Sequence, residues 1–140
     1  MAKHLVEGSD TVTRQAVKNR RRGFATERKL VKMLEARGWR AFRVPTSGTG
    51  YALPDVFAVN NKEKRIAAFE VKSTVEDHIS VDGFQIRKLL SFLDAFRLYR
   101  GEAVIAVWFI SNGWVFRAVN EFPLQERYVV YVHESSDWSP

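Results

Sequence analysis

The stretch of sequence that decides the fold is LPDVFAVNNKEKRIAAFEVKS, residues 53–73. Two apolar runs flank the polar segment 60–64, a pattern that predicts a β-hairpin. In the second run alternate side chains point to opposite faces of the strand, so Glu70 and Lys72 share one face. Asp55 begins the other run, and the two carboxylates are therefore expected to meet across the strand pair.

Two carboxylates and one lysine suit phosphodiester hydrolysis. Asp55 and Glu70 supply the anionic oxygens that hold Mg2+ against a scissile phosphate. Beside a metal, Lys72 is expected to orient or help to deprotonate the attacking water and to offset charge that develops on the phosphate. Simpler interpretations stay open, because a Glu-x-Lys pair on a strand is commonly a solvated ion pair and an Asp after Pro is commonly a turn residue.

Composition predicts one cytoplasmic domain whose metal is held by oxygen ligands. The 140 residues are 46% hydrophobic, enough for a core, and no run of eighteen apolar residues or basic-apolar leader predicts a membrane span or secretory signal. There is no cysteine for a disulfide or thiolate site, and His4, His78 and His133 are too scattered for a zinc site. Mn2+ is an alternative to Mg2+, because hard oxygen ligands accept both.

Positive charge is concentrated at the N-terminal end. The net charge is +6, and residues 1–30 carry eight Lys or Arg against three acids. Such a basic end favours a nucleic-acid partner, since neutralised phosphates release counterions, although solubility and targeting are alternatives.

The first third of the chain reads as an arm, a helix, a strand and a loop. Residues 1–20 lack an apolar period and are predicted to be a flexible basic arm. Helical spacing over 24–37 predicts a first helix that ends at Gly38, with Glu27 in its first turn, where an acid also interacts favourably with the helix N-terminus. A strand over 39–44 then leads to the loop TSGTG.

That loop, residues 46–50, is suited to approach a phosphate closely with its backbone N–H groups, although an ordinary connection is the alternative. After a short strand at 78–81, Asp82 is expected to cap one long helix over 84–99 that ends before Gly101. Gln85 in its first turn is a candidate to face the pocket, or else a surface residue.

The last third predicts strands at 103–110, 114–119 and 127–132, the first two joined by a turn at Ser111-Asn112-Gly113. Their many aromatic residues indicate either a subunit interface or simply a well-filled core.

The ordered motifs resemble the PD-(D/E)xK nuclease superfamily, and most closely the archaeal Holliday junction resolvases. The resemblance spans about residues 22–119. It rests on Glu27 in a helix, the approach Arg43-Val44-Pro45-Thr46-Ser47-Gly48, Pro54-Asp55 and Phe69-Glu70-Val71-Lys72-Ser73-Thr74, in that order.

The resemblance implies a restriction-endonuclease-like α/β core, with a central mixed β-sheet flanked by helices, and a symmetric homodimer. It implies metal-dependent paired cleavage of a four-way DNA junction in recombination and repair. Asp55, Glu70 and Glu27 correspond to metal ligands or nearby acids, Lys72 to the water-orienting cation and Ser47 to the loop serine. The residues expected to contact DNA are Arg20, Arg21, Arg22, Arg28, Lys29 and Gln85.

The domain prediction is a single nuclease domain at 21–133 between the arm and a polar C-terminal tail at 134–140. Two alternatives stay open. One is a nuclease of the same superfamily that acts on flaps, duplexes or damaged DNA. The other is a nucleic-acid-binding protein without catalysis on the same scaffold.

Overall fold

The computed structural model describes residues 14, 17–18, 23–45, 53–121 and 127–140. The first helix, α1, covers residues 23–36, and Gly38 follows it with a φ of 92°, in the left-handed region that favours glycine. The other elements are β1 (Arg40–Arg43), β2 (Val56–Asn60), β3 (Arg65–Thr74), β4 (His78–Asp82), α2 (Gly83–Asp94), a 3-10 helix (Arg97–Tyr99), β5 (Glu102–Phe109), β6 (Gly113–Ala118) and β7 (Arg127–Tyr131).

A five-stranded mixed sheet in the order β1-β2-β3-β5-β6 forms the centre of the fold. β3 and β5 are parallel, while the other neighbouring pairs are antiparallel. β4 and β7 form a separate antiparallel pair. This arrangement confirms the predicted α/β class with a central mixed sheet.

The hairpin that joins β2 to β3 has the predicted register-setting turn. The Asn60 side chain accepts a hydrogen bond of 3.0 Å from the backbone N–H of Glu63, and Lys64 has a φ of 58°. The pairing of Val56 with Phe69 and of Asn60 with Arg65 follows from that turn.

Each face of the sheet has its own apolar core, because β3 and β5 are buried on both sides. Leu30 and Leu34 of α1 pack with Phe69 and Val71 on one face. On the other face, Ile86 and Leu89 of α2 pack with strand residues that include Ala68, Ile105 and Val107. The face to which each β3 residue points therefore agrees with the alternation read from the sequence.

The prediction of one long helix over 84–99 is wrong. α2 ends at Asp94, and a separate 3-10 turn follows, closed by Arg100 with a φ of 49°. Periodicity counted Leu98 and Tyr99 as buried, but they are 89% and 64% exposed. The predicted cap at the other end is confirmed, since Asp82 accepts a hydrogen bond from the Phe84 N–H.

Gly101 serves close packing rather than helix termination. A Cβ atom at this position would lie 2.5 Å from Leu93 Cδ2 and 3.4 Å from Ile66 Cδ1. Only glycine lets the backbone enter β5 this close to the α2 core.

The predicted polar tail packs onto the outer side of β6. The backbone N–H of Asp137 donates to Phe116 O at 3.0 Å. The backbone N–H of Phe116 donates in turn to Ser136 Oγ at 2.9 Å. Trp138 is only 7% exposed within the α1-side core, and its Nε1 donates to Glu102 Oε1 at 2.9 Å. One buried indole thus makes this polar sequence part of the domain.

Within the described residues, no helix is long and apolar enough to cross a membrane. The first predicted segment, 1–20, is described only at positions 14, 17 and 18, which are helical and exposed.

Candidate active site

Asp55 is fixed at the start of β2 by its backbone and by its carboxylate. Its N–H donates to Phe69 O at 3.0 Å, which extends the β2–β3 ladder by one residue, and its carbonyl accepts from Val44 N–H at 2.9 Å. The carboxylate oxygen Oδ2 accepts a 2.9 Å hydrogen bond from the N–H of Val71. The acid therefore lies against β3 between the positions of Glu70 and Lys72.

Glu70 and Lys72 lie side by side on the α2 face of β3. The distance from Lys72 Nζ to Glu70 Oε1 is 3.4 Å. The Glu70 side chain is 4% exposed and that of Lys72 is 29% exposed, so only the lysine is open to solvent. The second carboxylate oxygen, Glu70 Oε2, is buried and has no hydrogen-bond partner among the residues that the structure describes.

The environment of Glu70 disfavours its charged form. Burial raises the pKa of Glu70 to about 7, and the negative charge of Asp55 adds to the increase. The positive charges of Lys72 and Lys88 act in the opposite direction. The influence of Asp55 shows that the two carboxylates lie within electrostatic reach of each other, as the sequence predicts.

Glu27 reaches the same region from α1 and is paired with Arg43. Its Oε2 accepts a 2.9 Å hydrogen bond from Arg43 Nε, and the Arg43 guanidinium lies 4.5 Å from the centre of the Phe24 ring. Burial raises the pKa of Glu27, the bond from Arg43 lowers it, and the charge of Asp55 raises it again. Glu27 is therefore an acid at the edge of the pair formed by Asp55 and Glu70, held in place by an arginine.

The chemistry of the donor set fits a hard divalent cation. The orphaned Oε2 of Glu70 is costly to bury without a partner, and a cation shared with Asp55 would satisfy it. The described residues hold no group of three acids or histidines placed to share one ion. Glu27, which is bound to Arg43, is thus set apart from the pair formed by Asp55 and Glu70.

Two residues of the site were not predicted from the sequence. Arg43 pairs with Val56, the residue after Asp55, and from the end of β1 its Nε reaches Glu27. Lys88 lies one turn beyond Gln85 on α2 and acts on Glu70 through its charge. The pairing of β1 with β2 could have predicted Arg43 as a site residue, and the helical spacing from Gln85 could have predicted Lys88.

Three of the residues predicted to contact DNA lie in the part of the chain that the structure describes. Arg28 and Lys29 are exposed on α1, and Gln85 is partly buried in the first turn of α2. Ser47, Arg20, Arg21 and Arg22 lie outside the described residues.

The family model for archaeal Holliday junction resolvases (Hjc) matches residues 18–137. The chain belongs to this family. Membership confirms the predicted family, the restriction-endonuclease-like fold and the predicted class of enzyme, a junction-resolving endonuclease. The match continues past residue 119, where the resemblance read from the sequence ends, and takes in most of the segment that packs onto β6.

Relatives within the junction resolvases include both viral and cellular enzymes. The chain is 40% identical over 91 residues to the crossover junction endodeoxyribonuclease of Sulfolobus islandicus rod-shaped virus 1, which covers 64% of this chain and 74% of the viral one. It is 42% identical over 92 residues to the crossover junction endodeoxyribonuclease Hje of Saccharolobus islandicus, which covers 65% of this chain and 66% of that protein. The structure of Hjc from Archaeoglobus fulgidus superimposes with a TM-score of 0.64 at 26% identity, covering 79% of this chain and 84% of that one.

Proposed function

We propose that the chain is a divalent-metal-dependent endonuclease that resolves four-way DNA junctions by paired cleavage of opposed strands, in recombination and repair. The observation that supports the metal dependence is the buried Oε2 of Glu70, beside Asp55 and Lys72, which has no hydrogen-bond partner within the described part of the chain. A DNA-cleaving protein has reason to bury a carboxylate in this way if a cation joins it, whereas a protein that only binds DNA gains nothing from acids that repel phosphate.

Asp55 and Glu70 are the residues that would hold Mg2+, or Mn2+ in its place. When bound, the ion supplies positive charge that activates the scissile phosphate toward attack by water. The hydrogen bond from Val71 N–H fixes the direction of the Asp55 carboxylate, so the site needs little reorganisation when it is loaded.

Lys72 orients the attacking water and offsets charge that develops on the phosphate. Its ammonium is positioned by the 3.4 Å contact with Glu70 while remaining open to solvent, which is the exposure that a substrate-facing cation needs. Glu27 acts as a further acid at the edge of the site, and Ser47 as the serine of the neighbouring loop.

Two copies of the chain would place two such sites on a four-way junction. A symmetric dimer matches the two-fold character of the junction and gives one site for each of two opposed strands. Support comes from exposed apolar residues: Tyr99 lines a cavity of about 470 Å³ together with Phe57 and Phe96, and the neighbouring Leu98 is 89% exposed. Leu98→Asp is then expected to shift the sedimentation coefficient at micromolar concentration from that of a dimer to that of a monomer.

The direct test is cleavage of an end-labelled four-way junction with Mg2+, beside linear duplex, flap and nicked substrates of the same sequence. Wild-type protein is expected to cut the junction in preference to the others. Asp55→Ala and Glu70→Ala are expected to bind the junction but not to cut it. Equal cleavage of linear duplex would favour the broader nuclease alternative, and tight binding without any metal-dependent cleavage would favour the non-catalytic one.

A separate test of the metal site does not depend on turnover. Mn2+ binding followed by electron paramagnetic resonance is expected to show a specific site in wild-type protein that is absent in the Glu70→Ala variant. An unchanged Mn2+ isotherm in that variant would place the ion elsewhere.

A further inference from the structure

Lys29 lies over an aromatic ring on the α1 face of the sheet. Its Nζ atom is 4.4 Å from the centre of the Trp108 ring, close enough for a cation–π interaction. Lys29 remains exposed, so the side of the ammonium away from the indole is available for an anion. A lysine normally has a long, freely rotating side chain, and here one ring limits where its charge can be.

The ring itself is anchored to the protein core through other aromatic residues. Trp108 contacts Trp114 edge to face at a centroid distance of 5.2 Å, and Trp114 stacks on Phe116 at 5.5 Å with an interplanar angle of 19°. Phe116 in turn packs at 5.3 Å against the buried Trp138. The position of a surface charge is therefore set by a continuous row of rings that begins in the core.

The location of this row relates it to the candidate active site. Trp108 is paired across β3–β5 with Ser73, the residue that follows Lys72. Lys29 follows Glu27 by two positions on α1, so the two side chains flank the helix on different sides. The Lys29 charge thus lies on the opposite face of the sheet from Glu70 and Lys72, near the same end of the sheet.

We propose that Trp108 is a positioning residue that holds the Lys29 ammonium for a backbone phosphate of DNA bound at the active-site end of the sheet. This inference rests on the proposed function. A cation that is already restricted loses less rotamer freedom when it meets a phosphate, so an uncharged residue contributes to DNA affinity without touching DNA. A leucine would fill the same apolar site but would present no π face to the ammonium.

The test is the affinity of a fluorescent four-way junction, measured by anisotropy in EDTA over a series of salt concentrations. Trp108→Leu is expected to weaken binding about two- to fivefold and to leave the slope of log K against log salt unchanged. Lys29→Gln is expected to weaken binding and to reduce that slope by about one phosphate contact. The Lys29→Gln/Trp108→Leu double variant should bind no more weakly than Lys29→Gln alone.

The controls separate a positioning role from a general loss of structure. Trp108→Phe retains a smaller π face and should recover most of the affinity. If Trp108→Leu does not fold, Trp108→Met, which is also apolar and has no π face, replaces it in the cycle with Lys29→Gln. Lys62→Gln, in the β2–β3 turn, is the matched lysine control and should have a smaller effect.

Two outcomes overturn the inference. One is wild-type affinity in both Trp108 variants, and the other is an additive loss in the double variant, which would mean that Trp108 acts independently of Lys29. Because binding is measured without cleavage, these results are distinguishable from failure of the proposed function, which would appear as a wild-type protein that does not cut the junction with Mg2+.

Discussion

Glu70 and Lys72 form an ion pair across 3.4 Å in which one partner is almost fully buried and the other is open to solvent. The pair does not behave as a simple surface salt bridge. Burial and the charge of Asp55 outweigh the lysine and keep the pKa of Glu70 raised to about 7. Stability is therefore lower than it would be with a neutral residue here, which agrees with a site adapted to bind an ion rather than to hold the fold together.

Glu70→Gln is expected to stabilise the metal-free protein at alkaline pH. The pKa of Glu70 is raised in the folded state from an ordinary value of 4.5, so the folded state retains a proton that the unfolded chain releases. Stability is then lost as the pH rises from about 4.5 to 7, and the full cost is present above pH 7. Thermal unfolding at pH 8 should show a Tm higher by about 3–8 °C in the variant.

That gain should shrink as the pH falls from 7 and vanish below about 4.5, where the wild-type carboxyl becomes protonated in both states. Glu76→Gln, at an exposed position, provides the matched control and should change Tm little at any pH. A gain that is independent of pH would show that the charge of Glu70 is not its cause.

Removal of the positive charge of Lys72 should move the pH dependence of metal binding. Lys72 lowers the pKa of Glu70, so Lys72→Met should raise it further. In the proposed metal site a cation would displace the proton from Glu70, so the midpoint of Mn2+ binding against pH is expected near 7 in wild-type protein and higher in the variant. Cleavage activity should fall by at least a hundredfold. A midpoint that does not move would contradict the assigned coupling.

Arg43→Met is expected to affect Glu27 more than the rest of the fold. The variant loses the 2.9 Å hydrogen bond that lowers the pKa of Glu27, so carboxyl carbon NMR should report a higher pKa for this residue. The pair is partly exposed, and the loss of stability should not exceed about 1 kcal/mol. Arg43→Lys keeps the charge without the fixed Nε donor and should show an intermediate pKa. An unchanged pKa in both variants would argue against the pairing.

Gly101→Ala is expected to lower the free energy of unfolding by about 1–3 kcal/mol. The added Cβ would lie 2.5 Å from Leu93 Cδ2 and 3.2 Å from Leu93 Cγ, and Leu93 is itself buried, so its side chain cannot turn aside without disturbing the core. Urea unfolding measures the change. Gly23→Ala is the control, because no atom of the described residues, its chain neighbours aside, lies within 4 Å of a Cβ at that position.

The parts of the site that were predictable from the sequence depend on short-range rules. Alternation along β3 places Glu70 beside Lys72, and the polar turn at 60–64 sets the register that brings Asp55 to them. The contact between Glu27 and Arg43 was not predictable, because it joins a helix and a strand sixteen positions apart. Nor could the sequence indicate how deeply Glu70 is buried, since that depends on how α2 covers β3.

Errors in the predicted fold arose where apolar character did not mean burial, or polar character did not mean exposure. Leu98 and Tyr99 continue the helical period of α2 yet lie in a separate exposed turn. Among the C-terminal aromatic residues, Phe109 and Phe116 belong to the core, as one of the two open interpretations held. The polar residues that surround Trp138 concealed its contribution to that core.

Trimming the protein after residue 133 would therefore be damaging rather than harmless. The anchor that a shortened chain would lose is the indole that fills the gap between Trp39, Phe69 and Phe116. Without this indole the row of rings under Lys29 would lose its packing support in the core. If Lys29 binds DNA as inferred above, removal of the C-terminal residues should therefore weaken DNA binding.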